Sequence, residues 1–104
     1  MQKEKTMSTE FQSLESVYEQ VIALMPAKFD SHDFILKLAQ KYQRLYVQAL
    51  VEYADNERPF QVVHGQIALR LLRYPHLVTK VGEHISRDIF LQDSSAALWE
   101  KTGK

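Results

Sequence analysis

The 104-residue chain contains no cysteine, three glycines, three prolines and one tryptophan. Without cysteine there can be no disulfide scaffold, thiolate nucleophile, iron–sulfur cluster or Cys-based zinc site. Gly65, Gly82 and Gly103 stand far apart, so no glycine-rich loop exists to cradle a phosphate. The longest apolar run, Val21 to Met25, is far shorter than the roughly 20 residues that cross a bilayer. The polar opening, Met1-Gln-Lys-Glu-Lys-Thr-Met7, lacks the apolar core of a secretory signal, so a cytoplasmic protein without membrane contact is expected. An excess of one charge is also missing: 13 basic and 13 acidic side chains cancel. That balance removes the usual argument for strong non-specific nucleic-acid binding.

What is present fits a single globular domain. Hydrophobic residues make up 45% of the chain and charged residues 25%, and the length suits one core. Residues 1–8 read as a flexible leader and residues 9–104 as the domain. Thr9 and Gln12 have the spacing of a capping box. Phe11, Leu14, Tyr18, Val21, Ile22 and Met25 recur at intervals of three and four, which predicts a helix over 10–25, ended by Pro26.

Asp30-Ser31-His32-Asp33 predicts the next helix start: Asp30 or Ser31 can cap, and Asp33 places negative charge in the first turn. From Phe34 to Ala54 there is no Gly or Pro, which predicts one rod about 35 Å long. Its apolar arc is broad, because Leu36, Val47 and Val51 spill onto a second face, which suggests the central helix of the fold or one also used in a subunit contact. After Asp55–Pro59, the stripe Phe60, Val63, Ile67, Leu71 and Tyr74 predicts a third helix over 60–73. Gly65 inside it suggests the close approach of another backbone. Residues 77–86 fit a strand or a short helix. Asp88–Gln92 and Ala96–Glu100 read as a hairpin around Asp93-Ser94-Ser95, although Ala96–Lys101 also fits a short helix. The fold class expected is mainly α with a small C-terminal β-hairpin, α+β, around a three-helix core.

The Phe60–Arg73 helix, the Tyr74-Pro75-His76 break, the Leu77–Ile85 segment and the Asp88–Glu100 hairpin follow one another in an order that resembles a winged helix-turn-helix domain. The resemblance is architectural, covers residues 34–101, and leaves 10–25 as an added helix. It departs from the pattern in lacking the usual turn glycine, although Gly82 stands just before the wing. It implies a helix in the major groove and wing contacts to the DNA backbone. Residues 58–82 carry Arg58, Arg70, Arg73 and Lys80 with no acid. These side chains, with Arg87, are the candidate phosphate contacts, and four contacts imply a log–log salt slope near −3.6.

Catalytic chemistry finds little support. Ser31, His32 and Asp33 are triad residue types, but helix neighbours point about 100° apart, and capping explains them better. His84 and Asp88, four apart, would share a helix face as metal ligands, yet a third ligand is missing. His64, beside the apolar stripe, fits a packed histidine with one satisfied nitrogen. Tyr42, Tyr46 and Tyr53 read as core residues with outward hydroxyls. Trp99 reads as the hairpin's anchor or, if exposed, as an interaction hot spot. A non-catalytic domain without metal or cofactor is therefore expected. Two functions stand nearly level: binding duplex DNA through the basic segment, and acting as a protein-interaction or homodimerisation module through Leu36, Val47, Val51 and Trp99.

Overall fold

In the computed structural model, which describes residues 12–102, the first apolar stripe becomes one buried helical face. Leu14, Tyr18, Val21, Ile22 and Met25 are all buried along it. The helical turn over 12–15 loosens at Ser16 and Val17 before α1 (Tyr18–Leu24) begins. Met25 leaves helical geometry at ψ 154°, as a residue ahead of proline must. The expected leader and the Thr9 cap lie outside the described residues.

After the short strand β1 (Lys28–Asp30), α2 (Ser31–Lys41) starts on a reciprocal capping box. The Asp33 amide donates to Asp30 Oδ1 at 2.8 Å, and the Asp30 amide donates back to Asp33 Oδ2 at 3.2 Å. The single rod expected over 34–54 is not what forms. The chain kinks at Tyr42 (φ −130°, ψ 60°), and α3 (Gln43–Glu52) follows. Hydrogen bonds continue across the kink, from the Tyr42 amide to the Leu38 carbonyl and from the Tyr46 amide to the Tyr42 carbonyl. Neither proline nor glycine is involved. The third helix, α4 (Pro59–Arg70), has proline in its first turn and tightens into a 3₁₀ turn over Leu71–Arg73.

The ambiguous C-terminal segments are both strands, β2 (Val78–Arg87) and β3 (Asp93–Lys101). They form an antiparallel hairpin with a bulge between Lys80 and Gly82, and β1 joins β3, giving the order β1-β3-β2. The turn lies at 88–92, not at the expected Asp93-Ser94-Ser95. Asp88 decides this: its Oδ1 accepts from the Phe90 and Gln92 amides at 2.9 and 3.0 Å, and its own amide donates to the Gln92 carbonyl. Leu91 in that turn has φ +68°, a left-handed conformation that costs a branched side chain roughly 1–2 kcal/mol. Aspartate chemistry thus overrides the strand-like composition of Ile89-Phe90-Leu91.

One core joins these layers. Phe34 and Leu38 of α2, Val63, Ile67 and Leu71 of α4 and its 3₁₀ turn, and Phe29 and Trp99 of the sheet meet the α1 stripe. Tyr18 meets Phe34 edge-on with ring centres 5.0 Å apart, and its hydroxyl donates to the Ile67 carbonyl at 2.7 Å. Trp99 is only 2% exposed, and its indole N–H donates to Ser31 Oγ at 2.9 Å. It is a core anchor, which corrects its candidacy as an interface residue. No described helix is long and apolar enough to cross a membrane. Replacing Trp99 with Phe removes ring volume and the indole donor together, so urea unfolding should show a loss of about 2 kcal/mol. A loss below about 0.5 kcal/mol would mean that this anchor contributes little.

Candidate functional site

Helical spacing puts Phe60, His64, Ala68 and Leu72 on one face of α4 and its 3₁₀ turn, with Gly65 and Leu69 alongside. That face does not close against the sheet. A cleft of about 370 Å³ separates it from the hairpin, within the size range of ligand-binding cavities. Gly65 opens onto this space: a Cβ built there would meet nothing within 4 Å. The expected close backbone approach is therefore absent, and the glycine widens the cleft instead.

The wall nearest the turn is aromatic. Phe60 and Phe90 meet edge to face with centres 4.9 Å apart, and His64 lies between Phe90 and Tyr46 at 6.1 and 5.8 Å. Nε2 of His64 is 2.6 Å from the Tyr46 hydroxyl, so one ring nitrogen is satisfied inside the packing, as expected. Burial lowers the His64 pKa to about 4; the Asp88 carboxylate opposes that fall and His32 adds to it. Burial also raises the Tyr46 hydroxyl to about 12. Both groups are neutral at physiological pH, so this wall presents a polar but uncharged pair. Gln61, Lys80 and Asp88 supply polar groups among the cleft's other lining residues.

The floor is fixed by the start of α2. His32 bridges two hairpin hydroxyls, Ser86 Oγ at 2.7 Å from Nδ1 and Ser94 Oγ at 3.1 Å from Nε2. Nε2 of His84 lies 2.9 Å from Asp30 Oδ2. Burial raises the Asp30 pKa, but bonds from the Asp33 amide, His84 and Ser86 outweigh it and leave the carboxyl below its ordinary value. Ser31, His32 and Asp33 each serve a different structural partner and form no relay. Among the described residues, no group of three or more His, Cys, Asp or Glu is placed to hold a metal ion. His84 sits on a strand, so the helix face proposed for it with Asp88 does not exist.

Four of the five candidate phosphate contacts lie against acidic side chains. Arg70 and Arg73 both donate to Glu15, at 2.8 Å and at 2.9 and 3.1 Å, and the Tyr74 hydroxyl adds a bond at 3.0 Å. Burial pushes the Glu15 carboxyl up, yet these three donors hold it below its ordinary range. The acid-free segment therefore meets its counter-ion from 55 residues upstream. Lys80 pairs with Glu83 at 2.8 Å, and Arg87 Nε lies 3.9 Å from Asp93. Arg58 is exposed at the opposite end of α4 from Arg70, about 18 Å away along the axis.

Of the candidate interface residues, Leu36, Val47 and Val51 are exposed. Leu36 lies on α2, whereas Val47 and Val51 share a face of α3 beyond the kink. The apolar side chains that the sequence reading missed are Leu69, Leu72 and Phe90, all exposed at the cleft. Leu69 and Leu72 fall off the buried stripe of α4, which is the signal that could have marked them. Comparison with protein-family models, curated proteins and solved structures finds no match for the chain.

His64 supplies a pH prediction. Its folded pKa lies below the unfolded value of 6.5, so the unfolded state binds the extra proton between the two values. Its contribution is complete above pH 6.5 and declines as pH falls toward 4. After discounting for partial exposure, the loss is on the order of 1–2 kcal/mol. Ring-proton NMR should show His64 titrating near pH 4; a midpoint at the ordinary histidine value would remove the effect.

Proposed function

We propose that the chain is a non-catalytic interaction module of winged-helix type, and that it takes an apolar segment of a protein partner in the α4–hairpin cleft. The supporting observation is the cleft itself, with Phe60, Leu69, Leu72 and Phe90 exposed beside the neutral His64 and the polar Gln61, Lys80 and Asp88. Apolar anchors filling a desolvated pocket inside a polar rim are the usual anatomy of protein interfaces. The order of three helical layers followed by a C-terminal hairpin supports the winged-helix part of the reading. Fold alone would not choose a partner. The apolar face of α4 favours a protein over a phosphate backbone.

Duplex DNA is the second reading, supported by the same helix-then-hairpin order and by the exposure of Arg58, Arg73, Lys80 and Arg87. Arg73, Lys80 and Arg87 each have an acidic partner, and Arg70 is held by Glu15.

The cleft is tested with 8-anilinonaphthalene-1-sulfonate, an anionic dye whose aromatic body fluoresces in apolar sites. Wild-type protein should give a saturable fluorescence gain at one site. Gly65→Leu fills open space and removes a helix-interior glycine, so it should keep the fold while weakening dye binding about tenfold or more. Equal binding by both proteins would sink the cleft reading. For DNA, anisotropy of a labelled duplex across a salt series should stay flat; a log–log slope of about −3 or steeper would favour the second reading.

A further inference from the structure

The sheet order leaves β2 at an edge, and among the described residues no strand pairs with its outer side. Ten residues is long for an edge strand, where natural proteins keep strands short or blunted. The bulge between Lys80 and Gly82 blunts the first part. Beyond it, pairing with β3 is regular from Gly82 to Arg87, so Glu83–Arg87 is a straight, exposed edge with backbone groups turned outward.

The pattern on that edge is self-complementary. Side chains at Glu83, Ile85 and Arg87 alternate onto one face, and all three are exposed, with Ile85 at 66%. When two copies of this segment align antiparallel about Ile85, Ile85 meets Ile85 on the two-fold axis. Glu83 of each copy then lies opposite Arg87 of the other, and His84 lies opposite Ser86. We propose that the protein forms a homodimer by antiparallel pairing of residues 83–87, joining the two three-stranded sheets into one of six strands.

Charge along the joined face supports a second copy as the occupant. Arg87 already faces Asp93 across the hairpin, and Glu83 already faces Lys80 across the bulge. In the dimer the cross-strand row reads Asp93, Arg87, then Glu83 of the other copy, with signs alternating, and Lys80 flanks that Glu83 along its own strand. A shift by one residue would put Glu83 opposite Ser86 and leave both charges unmatched, so the pairing also selects its register. The existing bonds are exposed and individually weak, which leaves both groups able to take the new partner. The site is separate from the α4–hairpin cleft and stands whether or not the cleft binds a partner.

Sedimentation velocity over a micromolar to submillimolar range tests the dimer with the full chain. Glu83→Arg and Arg87→Glu should each weaken association about tenfold, because each turns two favourable cross-strand pairs into like-charge pairs. The double variant should return to within about threefold of wild type. An equimolar mixture of the two single variants should associate more tightly than either alone, since every cross-strand pair in the mixed dimer is again opposite in sign. General loss of stability cannot produce that result. A monomer at every wild-type concentration would overturn the proposal, as would single variants that leave association unchanged. A mixture no tighter than its components would also overturn it. If the edge instead receives a strand from a different protein, the pure chain stays monomeric and the proposal fails.

Discussion

The four residues that open α2 hold the two halves of the molecule together. Asp30 and Asp33 cap the helix reciprocally, which satisfies backbone donors that would otherwise be orphaned and contributes about 1 kcal/mol. The same residues reach the hairpin, more than 50 positions away in sequence: Ser31 takes the Trp99 indole, His32 joins Ser86 to Ser94, and Asp30 takes His84. The reciprocal cap fixes the backbone of this helix start, so these contacts fix the hairpin relative to the helices. The far wall of the cleft depends on that placement, whereas the α4 wall is set by core packing of Val63, Ile67 and Leu71.

A second long-range constraint shapes the electrostatics. Glu15, from the N-terminal helical segment, gathers Arg70, Arg73 and Tyr74 at the end of α4. A half-buried carboxylate needs such donors to offset its desolvation, and the arginines gain a fixed geometry in return. The local excess of positive charge along 58–82 is thus partly offset by an acid from elsewhere in the chain. Counting charges along a chain assumes that neighbours in sequence are neighbours in space, which fails when a helix from elsewhere docks its acid on them.

Much of the helical framework was legible because burial and helical period coincide. The α1 stripe, the Pro59 start, the Asp30 cap and the packed His64 follow from local patterns. Features decided by competition between local and distant forces were not. Tyr42 kinks its helix without a proline or glycine to announce it. Ile89-Phe90-Leu91 has strand composition, yet Asp88 bonds two backbone amides and makes a turn there. Residues 77–86 were ambiguous because β-branched content suits a strand and the spacing of Val78, Val81 and Ile85 suits a helix. The cleft was invisible for a simpler reason: Phe60 and Phe90 lie thirty residues apart, and nothing in either segment records that they touch.

Gly65 lines that cleft and Leu91 follows Phe90 in the hairpin turn, and each is the wrong residue for its backbone. The helix would favour alanine at 65 by about 1 kcal/mol, and the turn would favour glycine at 91 by a comparable amount. Together they forgo roughly 2 kcal/mol, a sizeable fraction of the 5–15 kcal/mol typical of a whole domain. A sequence optimised for thermal endurance alone would exchange both. The present one holds an open helix face and a projecting leucine in their place, so an engineer seeking a hardier version would begin by erasing the features that give this molecule its shape.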